Sequence, residues 1–327
     1  MSRSVRIHEF GGPEVLTIEE VAVPELGATE VRLQVKAIGL NRSEVLLRSG
    51  RAATQPVLPT QIGLEAAGLI DAVGSDVKGF VIGDRVAVIP GQSGYHYYGE
   101  LALAPARTLV KAPDHVSWEA AAATWMAFGT AWGGMIDAAG LSAGQAALIT
   151  AASSSTGLAA IQVARSIGAT PIALTRTSAK KRALLNAGAA HVIATEEQDL
   201  VAEIVRLTGG KGAEVAFDAV GGPAFAQLVD AMADNGKIIV YGRLSPDATP
   251  LPVLRVLWKD LSIRGFSLPR VVLDDVKLVA LKRFVSEGLA SGALRPVIAK
   301  TFPFDDIVAA HRYLESGDQI GKVVVTV

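Results

Sequence analysis

The segment Ala147-Leu-Ile-Thr-Ala-Ala-Ser-Ser-Ser-Thr-Gly157 decides the fold of this chain, because it predicts a strand, a tight turn and a helix in succession. Two apolar residues form the centre of the strand, and apolar side chains then recur at helical spacing from Leu158 to Ile167. Gly168 supplies a C-cap. The free N–H groups at the start of such a helix form a site for the pyrophosphate of a dinucleotide.

The turn departs from the usual G-x-G-x-x-G pattern, since only the glycine at its last position remains. The other small residues offer hydroxyl groups instead. We expect the phosphates of a cofactor to be bound by Ser153, Ser154, Ser155, Thr156 and Gly157. The same segment also fits a serine-rich helix N-cap in any α/β protein.

The composition of the 327 residues is that of a globular protein with large cores. Hydrophobic residues make up 50% of the chain and charged residues 19%, and the net charge is −1, so we expect no nucleic-acid or anionic-membrane partner. No apolar run is long enough to span a bilayer and no signal-peptide core follows Met1, which predicts a cytoplasmic protein. The chain has no cysteine, and its five histidines lack ligand spacing, so we predict no metal site.

Two kinds of sequence divide the chain. Residues up to about 115 contain alternating strands such as Val31–Ala37, and the glycine-bounded strands 68–74 and 83–89 indicate a barrel. From about Ser117 strands alternate with helices, as in βαβ units. The strands predicted in that region are 146–150, 172–174, 191–193, 215–218, 237–241 and 261–266. They predict a six-stranded, doubly wound parallel sheet, followed by a helix over 275–286 and a strand over 322–327.

Five segments carry a resemblance to a known family: Gly39-Leu-Asn-Arg-Ser-Glu44, Ile62-Gly-Leu-Glu-Ala-Ala-Gly68, Val81-Ile-Gly-Asp-Arg-Val86, Ala120-Ala-Ala-Ala123 and Gly321-Lys-Val-Val-Val325. In this order they resemble the zeta-crystallin-like quinone oxidoreductases, a branch of the medium-chain dehydrogenase/reductase superfamily. The resemblance implies an α/β fold with a GroES-like β-barrel substrate domain at 1–116 and 267–327, and a Rossmann domain at 117–266. It also implies a homodimer, which the strand 261–266 would join at the edge of the sheet.

The chain departs from the zinc alcohol dehydrogenases of this superfamily at the metal ligands. Asn41 stands where those enzymes have a cysteine, and Leu64 stands where they have a histidine. Neither side chain replaces such a ligand. Without a Lewis acid we do not expect alcohol oxidation, whereas hydride addition to a quinone or an enone places charge on a conjugated oxygen that one or two hydrogen-bond donors stabilise.

The end of the second strand of the predicted sheet favours NADPH over NADH. An NAD site usually has an acidic residue there, but this chain has Thr175, Arg176, Thr177 and then Lys180. We expect Arg176 and Lys180 on the 2′-phosphate, Lys180 also because it matches a phosphate-binding lysine of the quinone oxidoreductases. A solvated basic helix start is the alternative interpretation.

The resemblance implies further contacts with the nicotinamide, its ribose and the pyrophosphate of the cofactor. These contacts are expected from Thr130, Val220, Tyr241, Gly242, Phe266, Leu268 and Lys322. Simple packing is the alternative for Val220 and Leu268, and a surface charge is the alternative for Lys322.

Asn41 is the predicted catalytic residue, since its amide can donate to a substrate carbonyl or orient a ribose hydroxyl. The tyrosine that relatives carry a few residues after Gly50 is absent. An aromatic loop could replace it with Tyr95, His96, Tyr97 or Tyr98, of which we select Tyr97. An aromatic surface cluster that packs against the barrel is the alternative interpretation. We therefore expect NADPH-dependent reduction of a quinone or an α,β-unsaturated carbonyl compound. A carbonyl reductase and a crystallin-like NADPH-binding protein with little turnover are the alternatives.

Overall fold

The computed structural model describes the whole chain, Met1 to Val327, as sixteen strands and eleven α-helices. The strands are β1 (Ser2–Ile7), β2 (Thr17–Val21), β3 (Glu30–Gly39), β4 (Thr60–Gln61), β5 (Ala66–Val73), β6 (Arg85–Val88), β7 (Leu101–Pro105), β8 (Leu109–Lys111), β9 (Ala146–Ile149), β10 (Thr170–Thr175), β11 (His191–Ala194), β12 (Ala213–Asp218), β13 (Met232–Val240), β14 (Ser262–Gly265), β15 (Ile298–Pro303) and β16 (Lys322–Thr326).

The helices are α1 (Arg42–Arg48), α2 (Trp118–Ala122), α3 (Trp125–Ala131), α4 (Ser155–Ser166), α5 (Lys181–Asn186), α6 (Leu200–Leu207), α7 (Phe225–Asp230), α8 (Val253–Trp258), α9 (Pro269–Val272), α10 (Asp275–Ser291) and α11 (Ile307–Ser316). A π-helix, Trp132–Ala138, continues α3. Short 3-10 helices lie at Pro13–Val15, Ala106–Thr108, Ser178–Lys180 and Phe304–Asp306. None of these helices combines the length and the apolar character that crossing a membrane requires. The cytoplasmic location stays a prediction.

The chain divides into two compact units. The terminal unit comprises Met1–Met126 and Pro296–Val327, and the central unit comprises Ala127–Arg295. These borders lie further along the chain than the ones that the resemblance implied at 117 and 267.

The central unit contains a six-stranded parallel sheet in the order β11-β10-β9-β12-β13-β14. All six predicted strands are present, and the doubly wound architecture is confirmed. β9 is buried along its whole length, as expected of a parallel strand that helices cover on both faces. The strand order reverses between β9 and β12, and ligands of such sheets bind outside the carboxyl ends of the strands at this point.

The terminal unit contains two sheets around their own core, and their strands pair antiparallel except for β15 and β16, which are parallel. β3 is the longest strand and pairs with β5, β7 and β16, while β5 pairs with β6 as predicted. The core includes Val35 and Ile38 of β3 and Val325 of β16. Because β16 pairs with the end of β3, it brings Lys322 close to Asn41, which stands two residues after that strand. The C-terminal segment thus completes the unit that the N-terminal strands begin.

One helix is longer than predicted. α10 continues to Ser291 and ends at Gly292, which has the left-handed conformation of a C-cap (φ 73°). Gly288 is no stop signal, because it lies inside the helix. A Cβ atom there would lie 2.5 Å from Leu294, so this glycine allows close packing.

Candidate functional site

The turn between β9 and α4 has the local geometry of a phosphate-binding turn. Ala151 adopts a left-handed conformation (φ 46°), which glycine usually supplies. Ser154 caps α4, since its Oγ accepts a hydrogen bond of 3.0 Å from the N–H of Gly157. A Cβ atom on Gly157 would lie 2.6 Å from both Ala151 O and Ala152 Cα. The one glycine that this turn keeps is therefore the one that close packing of helix and strand requires.

The carboxyl ends of β9 and β12 are joined by buried hydrogen bonds. The Thr150 hydroxyl donates to Asp218 Oδ1 over 2.7 Å, and the N–H groups of Val220 and Gly221 donate to the two oxygens of the same carboxylate. Asp218 is 2% exposed. This arrangement holds the ends of the two strands together where the sheet order reverses, and it positions Val220, which the sequence analysis placed near the ribose.

The end of β10 carries the predicted 2′-phosphate residues. Arg176 and Thr177 are exposed, and Thr175 is half-buried. Lys180 ends the 3-10 helix that follows the strand, and its Nζ lies 3.4 Å from Ser153 Oγ. The structure thus brings the predicted Lys180 together with the predicted turn serine. One carboxylate is nearby, since Glu197 Oε1 accepts a hydrogen bond from the N–H of Ser178.

Tyr241 and Gly242 follow β13 at the same edge of the sheet. The Tyr241 ring stacks on Phe217, with centroids 3.9 Å apart, and its hydroxyl is buried beside the Ser154 hydroxyl. Burial and the nearby Asp218 raise the pKa of Tyr241, and the neighbouring Ser154 hydroxyl offsets part of this rise. A Cβ atom on Gly242 would lie 3.0 Å from Ala219 O, so the backbone passes close to the end of β12.

Thr130, Phe266 and Leu268 are buried around α3 and the π-helix. A Cβ atom on Gly133 would lie 2.4 Å from Phe266 Cζ, and one on Gly129 would lie 3.1 Å from Leu268 Cδ1. Both side chains therefore pack against glycines, which was the alternative interpretation for Leu268. No pattern in the sequence predicts the π-helix, an element that is rare and is often found at functional sites.

Asn41 begins α1 in the terminal unit and is surrounded by buried polar groups. Lys322 Nζ donates to Asn41 Oδ1 over 2.6 Å and to Glu65 Oε2 over 2.5 Å. The other oxygen of Glu65 accepts a hydrogen bond of 2.7 Å from the N–H of Met126. The exposed fractions are 8% for Asn41, 1% for Lys322 and 0% for Glu65. Lys322 is therefore not a surface charge, and its predicted contact with the pyrophosphate stays a prediction.

Glu44 links this site to a second set of buried groups. It stands three residues after Asn41, and one of its oxygens accepts a hydrogen bond from the Asn41 backbone N–H over 2.7 Å. The Tyr98 hydroxyl donates to the same oxygen over 2.6 Å, and the N–H of Leu64 donates to the other over 2.7 Å. Burial raises the pKa of Glu44. The sequence analysis did not select Glu44 or Glu65, although the spacing of Asn41 and Glu44 is that of a capping box.

The second set of groups contains a buried histidine and a buried arginine. His311 Nε2 lies 3.3 Å from the Tyr98 hydroxyl, and the Arg48 guanidinium pairs with Glu315. Burial and the nearby Arg48 lower the pKa of His311 to about 3. His311 is thus a neutral core residue.

Tyr97, the predicted replacement for the missing tyrosine, lies in the hydrophobic core of the terminal unit and is 4% exposed. Burial and the negative charge of Glu30 raise its pKa. Its catalytic role stays a prediction. No group of three or more histidine, aspartate or glutamate side chains is arranged to hold a metal ion.

Comparisons with known proteins cover nearly the whole chain. A family model described as an alcohol dehydrogenase GroES-like domain matches residues 27–114, and one described as a zinc-binding dehydrogenase matches residues 155–285. The quinone oxidoreductase of Lama guanicoe is 32% identical over 99% of this chain and 97% of its own length.

Two solved structures resemble this chain over at least 99% of both lengths. One is the quinone oxidoreductase of Escherichia coli in complex with NADPH, with 29% identity and a TM-score of 0.91. The other is described as an NAD-dependent alcohol dehydrogenase, with 34% identity and a TM-score of 0.90. The sheet topology described above is thus shared with dehydrogenases whose names differ in both cofactor and substrate.

Proposed function

Since this chain belongs to the quinone oxidoreductase branch of the medium-chain dehydrogenase/reductase superfamily, we propose that it reduces a quinone or an activated alkene with NADPH and without a metal ion. The contact of Lys180 Nζ with Ser153 Oγ carries this proposal. It places a cation from the end of β10 beside the turn that precedes α4. An adenosine 2′-phosphate and the adjoining pyrophosphate need this combination of groups.

The residues at the edge of the sheet fit a dinucleotide. The left-handed Ala151 and the crowded Gly157 shape a turn against which a phosphate can lie, and Ser153 and Ser155 add hydroxyl donors. The buried Tyr241 hydroxyl, which lies beside Ser154, can donate to the same ligand. NADPH supplies the hydride when it is bound. The residues of the sheet hold and orient it.

The charges around β10 support the choice of NADPH. The strand ends in Thr175, and no acidic residue follows before the 3-10 helix, so no carboxylate from this segment accepts the ribose hydroxyls of NAD. Arg176 and Lys180 supply two cations instead. Glu196 and Glu197 follow the neighbouring strand β11, and the N–H of Ser178 already donates to Glu197.

Asn41 supports reduction without a metal. The ammonium of Lys322 faces Asn41 Oδ1, so the Nδ2 group of the amide is the donor side. One N–H donates to Gly39 O over 3.0 Å, and the other has only a 3.5 Å contact with Glu44 Oε1. This second N–H can donate to the oxygen that becomes negative when a quinone or an enone accepts a hydride.

A second candidate function is the reduction of simple carbonyl compounds with NADH. The likeness to the structure described as an NAD-dependent alcohol dehydrogenase favours it. The basic end of β10 and the lack of a zinc ligand at Asn41 and Leu64 speak against it.

We also propose that the protein is a homodimer. β14 is the edge strand of the parallel sheet, and all four of its residues are exposed. The preceding helix exposes Leu254, Leu257 and Trp258, the last at 81%. An apolar surface beside an unpaired edge strand favours aggregation unless a partner covers it, and a second copy could pair β14 with its own β14.

The function is tested by steady-state oxidation of NADPH and of NADH at equal concentrations. The acceptors are 1,4-benzoquinone, 9,10-phenanthrenequinone, a simple enone and a simple ketone, before and after treatment with a chelator. Turnover that prefers NADPH, accepts quinone or enone and survives chelation supports the proposal. Ketone reduction with NADH supports the second candidate, and activity lost on chelation contradicts the metal-free mechanism. Tight NADPH binding with no turnover would indicate a binding protein.

A further inference from the structure

Lys322 is buried and paired with a carboxylate, whereas a surface lysine that binds a cofactor phosphate requires neither burial nor a carboxylate partner. Its Nζ is placed between Asn41 Oδ1 and Glu65 Oε2, at 2.6 and 2.5 Å. Gly39 makes this possible, because a Cβ atom there would lie 2.7 Å from Lys322 Cε and 2.9 Å from Glu65 Oε2. The backbone, the carboxylate and the ammonium are thus packed as one unit. Buried charges persist in proteins when they are paired and hydrogen-bonded in this way.

The pair fixes the orientation of the Asn41 amide. An ammonium can only donate hydrogen bonds, so the oxygen of the amide must face Lys322. The carbonyl of Gly39 can only accept, so the nitrogen must face it. A flipped amide would place like groups against each other on both sides. Of the two N–H bonds, only the one near Glu44 Oε1 is left for a ligand, and that oxygen already accepts a hydrogen bond from the N–H of Leu64.

The contact with Lys322 also polarises the amide. A cation that donates to the amide oxygen withdraws electron density from it, and the N–H groups of the same amide become stronger donors. Glu65 neutralises the lysine, so the site gains a local dipole and not a net charge. The positive end of this dipole lies against Asn41.

We infer that Lys322 is a positioning residue for the reaction: its ammonium, fixed by Glu65, orients and polarises the Asn41 amide. The Nδ2–H whose hydrogen bond to Glu44 Oε1 is 3.5 Å long then exchanges that weak contact for the acceptor oxygen on which hydride transfer places negative charge. This inference rests on the proposed function, and it gives Lys322 a role different from contact with the pyrophosphate. The two roles predict different kinetics, since a pyrophosphate contact acts on NADPH affinity and the polarisation of Asn41 acts on turnover.

Two variants separate the parts of the arrangement. Glu65→Gln keeps an acceptor for Lys322 and the contact of Lys322 with Asn41, but it leaves the buried ammonium without a counter-charge, so its unfolding free energy is measured together with its turnover. Glu65→Gln combined with Lys322→Met removes the ammonium without leaving a buried carboxylate unpaired, and methionine has a length similar to that of lysine. Lys300→Met is the matched control, because Lys300 is an exposed lysine on the neighbouring β15.

The measurements are kcat with 1,4-benzoquinone and the Kd of NADPH from fluorescence without acceptor. We expect kcat of the double variant to fall about 10- to 100-fold below that of the unmodified protein, which is less than the roughly 100- to 1000-fold cost of losing an oxyanion donor because the Asn41 amide itself is kept. Glu65→Gln should keep at least about ten times the turnover of the double variant, and NADPH affinity should change less than about two-fold. A rise in the Kd of NADPH with kcat retained would overturn the inference in favour of a pyrophosphate contact.

A spectroscopic measurement tests the inference independently of turnover. The chain has three asparagines, so a sample labelled with ¹⁵N-asparagine shows three side-chain amide groups, and Asn41→Asp identifies the signal of Asn41. This signal should shift in the double variant but stay near its original position in Glu65→Gln and in Lys300→Met. An unchanged signal in the double variant would refute the contact. If the unmodified protein oxidises no NADPH, the proposed function fails, whereas the signal still shows whether Lys322 holds Asn41.

Discussion

His311 lies edge-on to Tyr98 in the core of the terminal unit, with ring centroids 5.8 Å apart and Nε2 3.3 Å from the hydroxyl. The Tyr98 hydroxyl donates its proton to Glu44, so its oxygen accepts from His311 Nε2–H. Nδ1 is then the unprotonated nitrogen, and it is buried without a hydrogen-bond partner. Protonation of Nδ1 would place a charge in the core beside Arg48, which is why burial and Arg48 lower the pKa of His311 to about 3.

This low pKa predicts a loss of stability in mild acid. An unfolded histidine titrates near pH 6.5, so below that pH the unfolded chain binds a proton that the folded protein does not. The stabilisation is complete above about pH 6.5, and about 2 kcal/mol of it is lost by pH 5. His311→Phe removes the titrating group and should have a flatter dependence of unfolding free energy on pH. Urea unfolding of both proteins between pH 5 and 8 measures the difference.

Glu44 does not confuse this comparison. Burial raises its pKa, so its contribution to stability is largest at low pH and declines as the pH rises. That trend is opposite in sign and common to both proteins. Parallel curves of unfolding free energy against pH for the unmodified protein and His311→Phe would show that His311 takes up its proton in the folded state as it does in the unfolded chain.

The ion pair of Lys322 and Glu65 predicts unequal costs for single and double substitutions. Lys322→Met alone leaves a fully buried carboxylate unpaired and should destabilise the protein by about 3–5 kcal/mol. Adding Glu65→Gln should recover much of this loss, because no charge then remains buried. Denaturant unfolding of the two proteins checks this, and equal losses would mean that the carboxylate gains another partner or water.

Local patterns in the sequence were sufficient to predict the fold of the central unit. β9 is a continuous apolar run, and the helix after the turn begins at a serine cap and ends before Gly168, as predicted. Such features depend on neighbours within a few residues. Gly288 shows the limit, because its packing against Leu294 distinguishes it from a helix stop only in the folded structure.

The buried groups of the terminal unit depend on contacts between distant parts of the chain. Lys322 and Glu65 are 257 positions apart, and Tyr98 and His311 are 213 apart. A single sequence contains no periodic signal for such pairs. Lys322 was predicted as a cation at the pyrophosphate or at the surface, since its charge alone gave no indication that Glu65, the residue before β5, neutralises it. Asn41, by contrast, could be selected because it stands at a recognisable position after β3.

Gly157 should not tolerate a side chain. A methyl group there would lie 2.6 Å from two backbone atoms of the preceding turn, so helix α4 must move away from β9. Gly157→Ala should lower the unfolding free energy by about 1–3 kcal/mol, as overpacked cores do, and should weaken NADPH binding. The unmodified protein is the reference for both measurements. Stability and NADPH affinity equal to those of the unmodified protein would contradict the tight packing of the turn.

Lys180 and Arg176 should determine the preference for NADPH. Lys180→Ala should lower the ratio of kcat/KM for NADPH to that for NADH about 10- to 100-fold, as expected for a charge-assisted bond to the 2′-phosphate. Arg176→Ala should lower it by about ten-fold or less, because Arg176 is exposed to solvent and its attraction is screened. Lys181→Ala, a neighbouring exposed lysine, is the control. An unchanged preference in Lys180→Ala would place the phosphate elsewhere.

The exposed apolar residues before β14 predict a dimer that charge can disrupt. Leu257 and Trp258 are 72% and 81% exposed. If this surface is the centre of an interface, glutamate side chains at the two positions would lose their hydration there without gaining hydrogen-bond partners. The combined variant Leu257→Glu/Trp258→Glu should therefore halve the molar mass measured by light scattering after size-exclusion chromatography. Val57→Glu, at an apolar residue that is 89% exposed in the terminal unit, should leave the mass unchanged. A monomeric unmodified protein, or a dimer that persists in the combined variant, would exclude this surface as the interface.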